Sequence, residues 1–358
     1  MPPALNASSR VWRRRCATIH GTLLSMPWRT CLNTKLLITG ATGYIGSRLA
    51  VFYRDAGADL RLLVRDRGRL SPELQEGVEV VGGDLERPET LGPVVEGVGV
   101  VIHAAGMLGH WGLPYQALWN VNVQGTENLI RAAAQAGVSR FLHLSTGGVS
   151  GPKGFQPTDE TCPPNPYTDY ERSKWEGECR AVEVAAEVNL PLLVLRPTFT
   201  YGPADPHKLG LFRMVQKRLF FFIGDGLSTV TPVYIDDLVQ GIDLALKSGM
   251  DSECFILGGE RPVTKRELVW GIADALQVSR PALKVPAPVG WVLARGCEAA
   301  ASVFRLDPPL TRSRIMALSR CWGYSIDYAR RKLGYEPKVN LEEGLRRTAQ
   351  WYRGHQWL

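Results

Sequence analysis

Short apolar segments alternate with longer amphipathic ones from Lys35 onward, and this alternation leaves few possible folds. Six apolar segments are predicted to be buried strands, at residues 35–39, 60–64, 78–82, 98–103, 140–145 and 192–196. The stretches between them include three with helical spacing, at residues 44–56, 115–136 and 169–188. Regular alternation of strand and helix is typical of βαβ units. We therefore predict an α/β fold, a doubly wound parallel sheet that binds ligands beyond the carboxyl ends of its strands.

The regular alternation of predicted strands and helices becomes less clear after Pro197, where Gly, Pro and Phe become frequent. We expect residues 35–197 to form a Rossmann-type domain and residues 198–358 to form a smaller, C-terminal substrate-binding domain. Residues 232–248 include an apolar helical stretch that we expect to return to the first domain. Later helices are predicted at 264–277, 288–304 and 340–354.

The positive charge of the chain is concentrated at its beginning. Residues 1–34 contain five arginines and no acidic residue, and removing these five from the formal charge of +7 leaves +2. Residues 35–358 are therefore nearly neutral, which argues against a nucleic-acid partner. The basic segment could be a targeting peptide, a contact with a membrane surface, or an extension upstream of a start at Met26. We favour an extension that is disordered or not native.

Cysteine and histidine usage indicates the compartment and argues against a metal. The seven cysteines are scattered without a C-x-x-C pair, as expected for thiols in a reducing compartment. The six histidines form no H-x-x-H or His/Cys cluster, so we predict no metal site. No apolar run approaches the ~20 residues that cross a bilayer. We expect a cytoplasmic protein, with peripheral membrane association as an alternative.

A glycine-rich turn follows the first predicted strand. The segment KLLITGATGYIGSRLA places Gly40, Gly43 and Gly46 at intervals of three residues before a helix. Gly40 permits a tight turn, Gly43 lets the backbone approach a pyrophosphate, and Gly46 lets helix and sheet pack closely. The helix N-terminus offers unpaired N–H groups to phosphates. In this position the turn predicts a dinucleotide site rather than an ordinary strand–helix connection.

The end of the second predicted strand bears on which dinucleotide binds. Val64 stands where an acidic residue would take the ribose hydroxyls, and Arg65 follows it. A guanidinium there suits a 2′-phosphate, so we expect NADP(H), with NAD(H) possible if Asp66 pairs with Arg65. Asp84, after the third strand, either accepts a hydrogen bond from the adenine amine or caps a helix.

Tyr170 precedes Lys174 by four residues, which places both side chains on one face of a helix. A phenol beside an ammonium group could transfer a proton. Tyr328 and Lys332 repeat this spacing near the C-terminus. Spacing alone therefore does not distinguish a catalytic pair from a structural one.

An ordered series of motifs carries a family resemblance. They are TGATGYIG, GDL at Asp84, HAAG at 103–106, NVNVQGTENLI around Asn122, HLSTGGVSG, the Tyr170/Lys174 pair, LRPTFTYGP at 195–203 and PVYIDDLVQG at 232–241. This series resembles the extended short-chain dehydrogenases/reductases from Lys35 to the C-terminus. The resemblance implies an enzyme that transfers hydride between a nicotinamide and a carbinol carbon.

The resemblance also implies roles for individual residues. Tyr170 and Lys174 would be catalytic, with Thr146, or less favourably Ser145, holding the substrate oxygen. A free phenol has a pKa of about 10, and we expect Lys174 and an oxidised nicotinamide to lower it. Asn122 would position a helix, relay a proton through water to Lys174, or simply satisfy backbone groups. The residues expected to contact the cofactor are Gly40, Thr42, Gly43, Tyr44, Ile45, Gly46, Arg65, Asp84, Leu85, Ala104, Ala105, Gly106, Asn122, Tyr170, Lys174 and Pro197.

The substrate is expected to be apolar. Val230 stands where sugar-nucleotide enzymes of this family carry an arginine for the diphosphate. Apolar segments at 107–119, 218–224 and 286–304 are expected to line the substrate site. Residues 306–353 resemble the 3β-hydroxysteroid dehydrogenase and sterol-4-carboxylate 3-dehydrogenase branch, in which a 4-carboxylate can leave as CO₂ after oxidation.

Three functions are therefore weighed. We favour an NAD(P)-dependent oxidoreductase acting on a 3β-hydroxysteroid or a 4-carboxysterol. The alternatives are a nucleotide-sugar epimerase, dehydratase or reductase, and a non-catalytic dinucleotide sensor. The family resemblance also suggests a homodimer formed through the helices at 115–136 and 169–188.

Overall fold

A computed structural model describes residues 34–304 and 306–358. Its strands are β1 Lys35–Thr39, β2 Leu60–Val64, β3 Glu79–Gly82, β4 Val98–His103, β5 Arg140–Leu144, β6 Leu192–Pro197, β7 Phe199–Tyr201, β8 Phe222–Ile223, β9 Thr229–Val230, β10 Pro232–Tyr234, β11 Glu253–Leu257, β12 Val263–Thr264 and β13 Lys284–Val285. Our expectation for the basic segment at the beginning of the chain lies outside the described residues.

The α-helices cover both faces of the main sheet and build most of the C-terminal part. They are α1 Tyr44–Asp55, α2 Gly92–Val95, α3 Tyr115–Trp119, α4 Gly125–Gln135, α5 Asp169–Glu187, α6 Pro206–Gln216, α7 Ile235–Lys247, α8 Lys265–Leu276, α9 Ala287–Phe304, α10 Arg312–Ser319, α11 Asp327–Leu333 and α12 Leu341–Gly354. A π-helical segment, Asn120–Gln124, joins α3 to α4. Among the described residues, no helix combines the length and apolar composition needed to cross a bilayer.

Seven parallel strands form the main sheet in the order β3-β2-β1-β4-β5-β6-β11. The strand order reverses between β1 and β4, which opens a crevice at their carboxyl ends. The predicted doubly wound fold and all six predicted strands are confirmed. The seventh strand, β11, was not predicted, because its short run ECFIL lies beyond the region where strand and helix alternate regularly.

Side chains of β1 show how the sheet buries both faces. Leu36 and Ile38 belong to the apolar core beneath α1 and α7. Leu37, between them, belongs to the core beneath α4 and α5. Helix α7 is anchored to α1 by an ion pair between Arg48 and Asp236, with an N–O distance of 2.8 Å. Both faces are covered, as expected for a parallel sheet.

A smaller apolar cluster supports the C-terminal part of the chain. Ile223, Ala294 and Ile315 are its buried centre and bring β8, α9 and α10 together. The parallel pair formed by β8 and β13 lies at its edge. This cluster is separate from the two cores of the main sheet, and it fixes α9 and α10 near the carboxyl ends of the sheet strands.

Helix α5 passes very close to the π-helical segment. A Cβ atom on Gly177 would overlap the carbonyl oxygen of Asn122. The glycine therefore sets the separation of two backbones that carry Asn122 and Lys174. Any larger side chain at this position must push them apart.

We predict that Gly177→Ala lowers the free energy of unfolding by about 1–3 kcal/mol, because the new methyl group overpacks this contact. Chemical denaturation would measure the change. Gly210 in α6 provides a matched control, since a Cβ atom there would meet nothing within 4 Å. Gly210→Ala should stabilise the chain by up to about 1 kcal/mol. An unfolding free energy for Gly177→Ala equal to that of the unsubstituted protein would contradict the prediction.

Candidate active site

A cleft of about 1260 Å³ lies at the carboxyl ends of the sheet strands, between them and the C-terminal part. The predicted site residues that line it are Gly40, Gly43, Tyr44, Ile45, Gly46, Ala104, Gly106, Thr146, Tyr170, Lys174 and Pro197. The predicted site residues that do not line it are Thr42, Arg65, Asp84, Leu85, Ala105 and Asn122. The glycine turn and the Tyr170/Lys174 pair therefore share one cleft.

The glycine turn has the geometry that phosphate binding requires. Gly40 has a φ of +77°, and a Cβ atom there would lie 2.7 Å from Ala104 carbonyl carbon. A Cβ atom on Gly46 would overlap the carbonyl oxygen of Gly40, so the helix packs directly on the turn. Helix α1 begins after Gly43 without a side-chain cap. Its first N–H groups, which have no acceptor within the helix, suit the phosphates of a dinucleotide.

The turn after β2 is basic and exposed. Arg65, Arg67 and Arg69 are all exposed there. Asp66 accepts a hydrogen bond from the Gly68 N–H at 2.9 Å and caps the turn. Within the described part of the chain it forms no ion pair with Arg65, contrary to one of our two alternatives. The guanidinium of Arg65 is thus not neutralised by its neighbour.

Asp84 closes a turn in the loop after β3. Its carboxylate accepts a hydrogen bond from the Glu86 N–H at 3.1 Å. The following residue, Leu85, is buried, and its carbonyl accepts from the Asn128 side chain at 2.8 Å. Asp84 caps no helix here, because the short 3₁₀ helix that follows, Pro88–Thr90, begins after Arg87. The hydrogen bond between Leu85 and Asn128 holds the loop after β3 against α4.

Lys174 is a buried cation at the base of the cleft. Its Nζ donates to the Leu144 carbonyl at 2.7 Å, and a Cβ atom on Gly106 would lie 3.7 Å from it. Burial lowers the pKa of Lys174 to about 8, although Glu178 opposes the shift. The ammonium therefore remains mostly charged at neutral pH. It anchors helix α5 to the end of β5.

Tyr170 lies in the first turn of α5, beside the loop that follows β4. A Cβ atom on Gly109 would lie 3.0 Å from the Tyr170 Cβ. Burial, assisted by the Glu171 carboxylate, raises the pKa of Tyr170 to about 12. We expected Lys174 and an oxidised nicotinamide together to lower this pKa. In the protein without cofactor burial dominates, and the Lys174 ammonium is held by the Leu144 carbonyl.

The second Tyr/Lys pair lies in a different environment. Tyr328 in α11 stacks on Phe255 with ring centroids 5.3 Å apart. Its hydroxyl donates to Glu253 at 2.8 Å. Neither Tyr328 nor Lys332 lines the cleft. Identical spacing thus occurs once at the cleft and once in a packed helix.

Two hydroxyl groups lie side by side after β5, and both line the cleft. Thr146 Oγ1 accepts a hydrogen bond from the Gly148 N–H at 3.2 Å and caps the short 3₁₀ helix Gly147–Ser150. Accepting this bond leaves the hydroxyl proton of Thr146 able to donate. Ser145 is buried, and its hydroxyl has no hydrogen-bond partner among the described residues.

Asn122 is fully engaged as a buried amide. Its Oδ1 accepts from the Met107 N–H at 2.8 Å, while its Nδ2 donates to the Met107 carbonyl and to Ser173. Of the roles left open by the sequence, the amide that satisfies backbone groups and joins helices is the one present here. It ties the loop after β4 to α5, below the cleft.

A chain of hydrogen bonds runs beneath the cleft from β1 to the π-helical segment. Ala105 N–H donates to Thr39 Oγ1, whose hydroxyl lies 2.8 Å from His103 Nδ1. On the other side, His103 Nε2 lies 3.1 Å from Thr126 Oγ1, and Thr126 donates to the Asn122 carbonyl. The directions of these bonds place the imidazole proton on Nε2. The sequence analysis missed this network, although HAAG already contained His103.

A second histidine, His143, pairs with His103 across β4 and β5, with ring centroids 5.5 Å apart. Burial, with the nearby Lys174 ammonium, lowers the pKa of His103 to about 3. The same causes place the pKa of His143 well below its usual range. Neither ring nitrogen of His143 has a hydrogen-bond partner among the described residues. Both imidazoles are therefore neutral, as the adjacent ammonium requires.

The walls of the cleft agree only in part with our expectations. From segment 107–119, the lining residues include Leu108, Trp111 and Leu113. Segment 218–224 does not line the cleft, because its large side chains fill the core: Phe220 and Phe222 are 4% and 3% exposed. Helix α9 reaches the cleft only through Glu298.

Charged side chains close the far end of the cleft, and the sequence analysis did not predict them. Glu298 forms an ion pair with Arg312 at 2.6 Å. Arg314 donates to the Pro309 carbonyl at 2.7 Å, and Asp307 lies nearby in the lining. Two cations and two anions thus balance one another at this end.

The domain model for the NAD dependent epimerase/dehydratase family matches residues 36–258. This range includes the glycine turn, the cleft hydroxyls and the Tyr170/Lys174 pair. The chain belongs to this family. The resemblance to extended short-chain dehydrogenases/reductases is confirmed, and the chain is accordingly an oxidoreductase-type enzyme of a nicotinamide-dependent family.

Two named relatives cover much of the chain. The 2-alkyl-3-oxoalkanoate reductase of Stenotrophomonas maltophilia is 31% identical over 332 residues, which are 87% of this chain and 98% of the relative. The 3beta-hydroxysteroid-dehydrogenase/decarboxylase isoform 1 of Arabidopsis thaliana is 28% identical over 305 residues, 79% of this chain and 69% of the relative. The family is thus shared with enzymes named for different substrates.

A solved structure extends the comparison to the cofactor. DesIV, a dTDP-glucose 4,6-dehydratase from Streptomyces venezuelae solved with NAD and TYD bound, is 27% identical. It has a TM-score of 0.72 and covers 90% of this chain and 98% of its own. In the present chain, the uncapped helix start and the glycines packed against Ala104 fit the pyrophosphate of a dinucleotide.

The buried histidines predict that stability decreases in acid. Both are neutral in the folded chain, whereas the unfolded chain takes up protons near the usual histidine pKa of 6.5. Below about pH 6.5 the unfolded state therefore binds more protons, and stability falls by up to about 1.4 kcal/mol per pH unit for each histidine. Chemical denaturation between about pH 7.5 and pH 5.5 would measure this slope.

Two variants test whether the buried rings cause the slope. His143→Leu should reduce the slope by up to about 1.4 kcal/mol per pH unit, since leucine does not titrate and no described residue hydrogen-bonds the ring. His110 is exposed, so His110→Gln should keep the full slope. If His143→Leu and His110→Gln had the same slope as the unsubstituted protein, the assignment to His143 would be wrong.

Proposed function

We propose that the chain is an NAD(P)-dependent oxidoreductase that transfers hydride between a nicotinamide and a secondary alcohol or ketone on an apolar ring substrate. The favoured substrates are a 3β-hydroxysteroid and a 4-carboxysterol. One observation carries the proposal: Thr146, Tyr170 and Lys174 line the same cleft as the glycine turn. A dinucleotide sensor without catalysis would not need these three groups together.

The roles follow from the hydrogen-bonding capacity of each group. The hydroxyl of Thr146, which already accepts from Gly148, donates to the substrate oxygen. Tyr170 moves a proton to or from the same oxygen. The Lys174 ammonium, largely charged at neutral pH, would supply a positive charge beside the reacting groups and would donate to the nicotinamide ribose when the cofactor is bound. The nicotinamide supplies the hydride acceptor or donor.

In the protein without cofactor, the protonation state of Tyr170 suits the reductive direction of the reaction. With a pKa of about 12, Tyr170 is a neutral phenol near pH 7 and can donate a proton to a ketone oxygen. Acting as a base in the oxidative direction requires a lower pKa. The positive charge of an oxidised nicotinamide, together with Lys174, would favour the phenolate.

Apolar side chains support the choice of substrate. Leu108, Trp111, Leu113 and Phe199 line the cleft, so a flat hydrophobic body can be buried there. The two named relatives carry names that describe a 3-oxo or 3-hydroxy group on a largely hydrocarbon skeleton. If the substrate bears a carboxylate next to the new ketone, the resulting β-keto acid loses CO₂ without further catalytic groups.

A nucleotide-sugar substrate is the second candidate, and one observation favours it. Arg312 and Arg314 line the cleft and could meet a diphosphate. Against it, Glu298 already pairs with Arg312, and carbonyl oxygens hold Arg314. Val230 is buried at 6% exposure in the β9–β12 pair and does not line the cleft. These contacts leave no net positive charge for a diphosphate at this end.

We predict that Tyr170→Phe lowers kcat by about 100-fold or more with a 3β-hydroxysterol or its 4-carboxylate, because proton transfer is lost. Affinity for the nicotinamide cofactor should stay within about twofold, since the hydroxyl is not a phosphate contact. Absorbance of the reduced nicotinamide would follow turnover, and calorimetry would measure cofactor binding.

The chain provides its own control for this experiment. Tyr328→Phe removes the same hydroxyl from the same spacing, yet Tyr328 lies outside the cleft, so turnover should be unchanged. Equal turnover by Tyr170→Phe and the unsubstituted protein would refute the catalytic assignment. No turnover of sterols by the unsubstituted protein, together with binding of UDP-glucose, would favour the second candidate.

We also propose a preference for NADP(H), supported by the exposed Arg65 that Asp66 leaves unneutralised. Arg65→Ala should weaken NADPH binding by about 10-fold to 100-fold, because a charge-assisted hydrogen bond to the 2′-phosphate is lost. NADH binding, measured by calorimetry on the same variant, should change little. If Arg65→Ala weakened the binding of NADPH and NADH equally, Arg65 would not contact the 2′-phosphate.

A further inference from the structure

Helix α9 presents an apolar face to solvent along its whole length. Its exposed residues include Val292 at 70%, Val303 at 76% and Phe304 at 70%. Val289 and Leu293 are 48% and 50% exposed. Surface helices of globular proteins normally turn polar side chains to water, so this arrangement is unusual.

The apolar positions form one continuous stripe. At about 100° per residue, the exposed apolar residues fall within a sector of roughly 140°. They are Val289, Val292, Leu293, Gly296, Ala299, Ala300, Val303 and Phe304. Leu306, beyond the helix end, is 66% exposed. We call this set the α9 stripe.

The opposite side of α9 supports the fold. Gly290, Ala294, Glu298 and Ala301 are its buried residues, and Trp291 packs on the apolar cluster of β8 and α10. The exposed positions of the α9 stripe therefore lie outside the core of the described chain. Replacing them should not disturb packing.

Two of the exposed charged residues near the α9 stripe are basic. Arg295, on the polar border of the helix, and Lys284, in the strand before it, are exposed. Neither forms an ion pair with the described residues. The one acidic residue of α9, Glu298, is buried against Arg312. The described solvent face of α9 thus combines apolar side chains with one cation, Arg295, and carries no anion. An exposed acidic residue, Asp307, lies beyond the helix end.

We propose that the α9 stripe docks the protein on an anionic lipid bilayer surface, with α9 lying in the interface. An exposed apolar stripe with basic borders is what interfacial helices use, the apolar side entering the acyl boundary and the cations meeting headgroups. A second copy fits less well, because a symmetric contact between two α9 helices would bring Arg295 against a facing helix that exposes no acidic side chain.

The position of the stripe links it to the cleft. Glu298 and its partner Arg312 both line the cleft, so the helix that carries the stripe on one side contributes to the cleft wall on its other side. If the substrate is apolar, which rests on the proposed function, it could enter directly from the bilayer. The docking itself needs no turnover and can be tested without any substrate.

Vesicle flotation of the full chain tests the proposal. The protein should float with vesicles of phosphatidylcholine containing roughly one-third phosphatidylserine, and less with phosphatidylcholine alone. The double variant Val292→Ser/Val303→Ser should bind about 10-fold more weakly, because two apolar side chains no longer enter the interface. Arg295→Gln should weaken binding to the anionic vesicles by about fivefold and leave binding to phosphatidylcholine unchanged.

Phe155 provides a matched control, since it is 70% exposed on a loop outside α9. Phe155→Ser should float like the unsubstituted chain. Absence of vesicle binding would overturn the proposal. Vesicle binding that the double variant does not weaken would also overturn it, and would show that other basic residues attract the anionic lipid. Light scattering tests whether the α9 stripe is instead a dimer interface. If the unsubstituted chain were a dimer and the double variant a monomer, the α9 stripe would bind a second copy and not lipid. Sterol turnover without vesicle binding would refute the docking proposal and leave the proposed function intact.

Discussion

Backbone contact at Gly40 is the constraint on which the candidate site depends. The end of β1 touches the loop after β4 on one side and the first turn of α1 on the other, and neither contact leaves room for a side chain. Gly46 is needed for the second contact, as Gly40 is for the first. Because β1 lies at the point where strand order reverses, these contacts open a cleft with a helix N-terminus at its edge.

A network of neutral groups lies beneath the charged Lys174 in that cleft. Thr39, His103, Thr126 and Asn122 form a hydrogen-bonded network without ionised members. Lys174 stands above it, held by the Leu144 carbonyl. Burial keeps the histidines uncharged, and a protonated imidazole would repel the ammonium. The same burial that protects Lys174 raises the pKa of Tyr170, so the chemistry of the phenol depends on charge brought by the cofactor.

Helix α9 has a buried side and an exposed side with different surroundings. Its buried side contributes Glu298 to the cleft, where the ion pair with Arg312 neutralises charge. Its exposed side carries apolar residues that no described part of the chain covers. We expected the apolar residues of this helix to line the substrate site, yet the helix reaches the cleft only at Glu298, and the small cluster around Ile223 covers only one side of the helix.

The sequence by itself determined the sheet and the motif residues, because strand burial, helix periodicity and glycine turns act over short distances along the chain. It could not indicate β11, the burial of segment 218–224 or the charges at the end of the cleft, since these depend on which distant segments meet. The order of the family motifs already pointed to Tyr170 rather than Tyr328, although their local spacing is identical, and the tertiary structure places only Tyr170 of the two in the cleft. It also decided the pKa directions, because desolvation is a property of the surrounding fold and not of residue order.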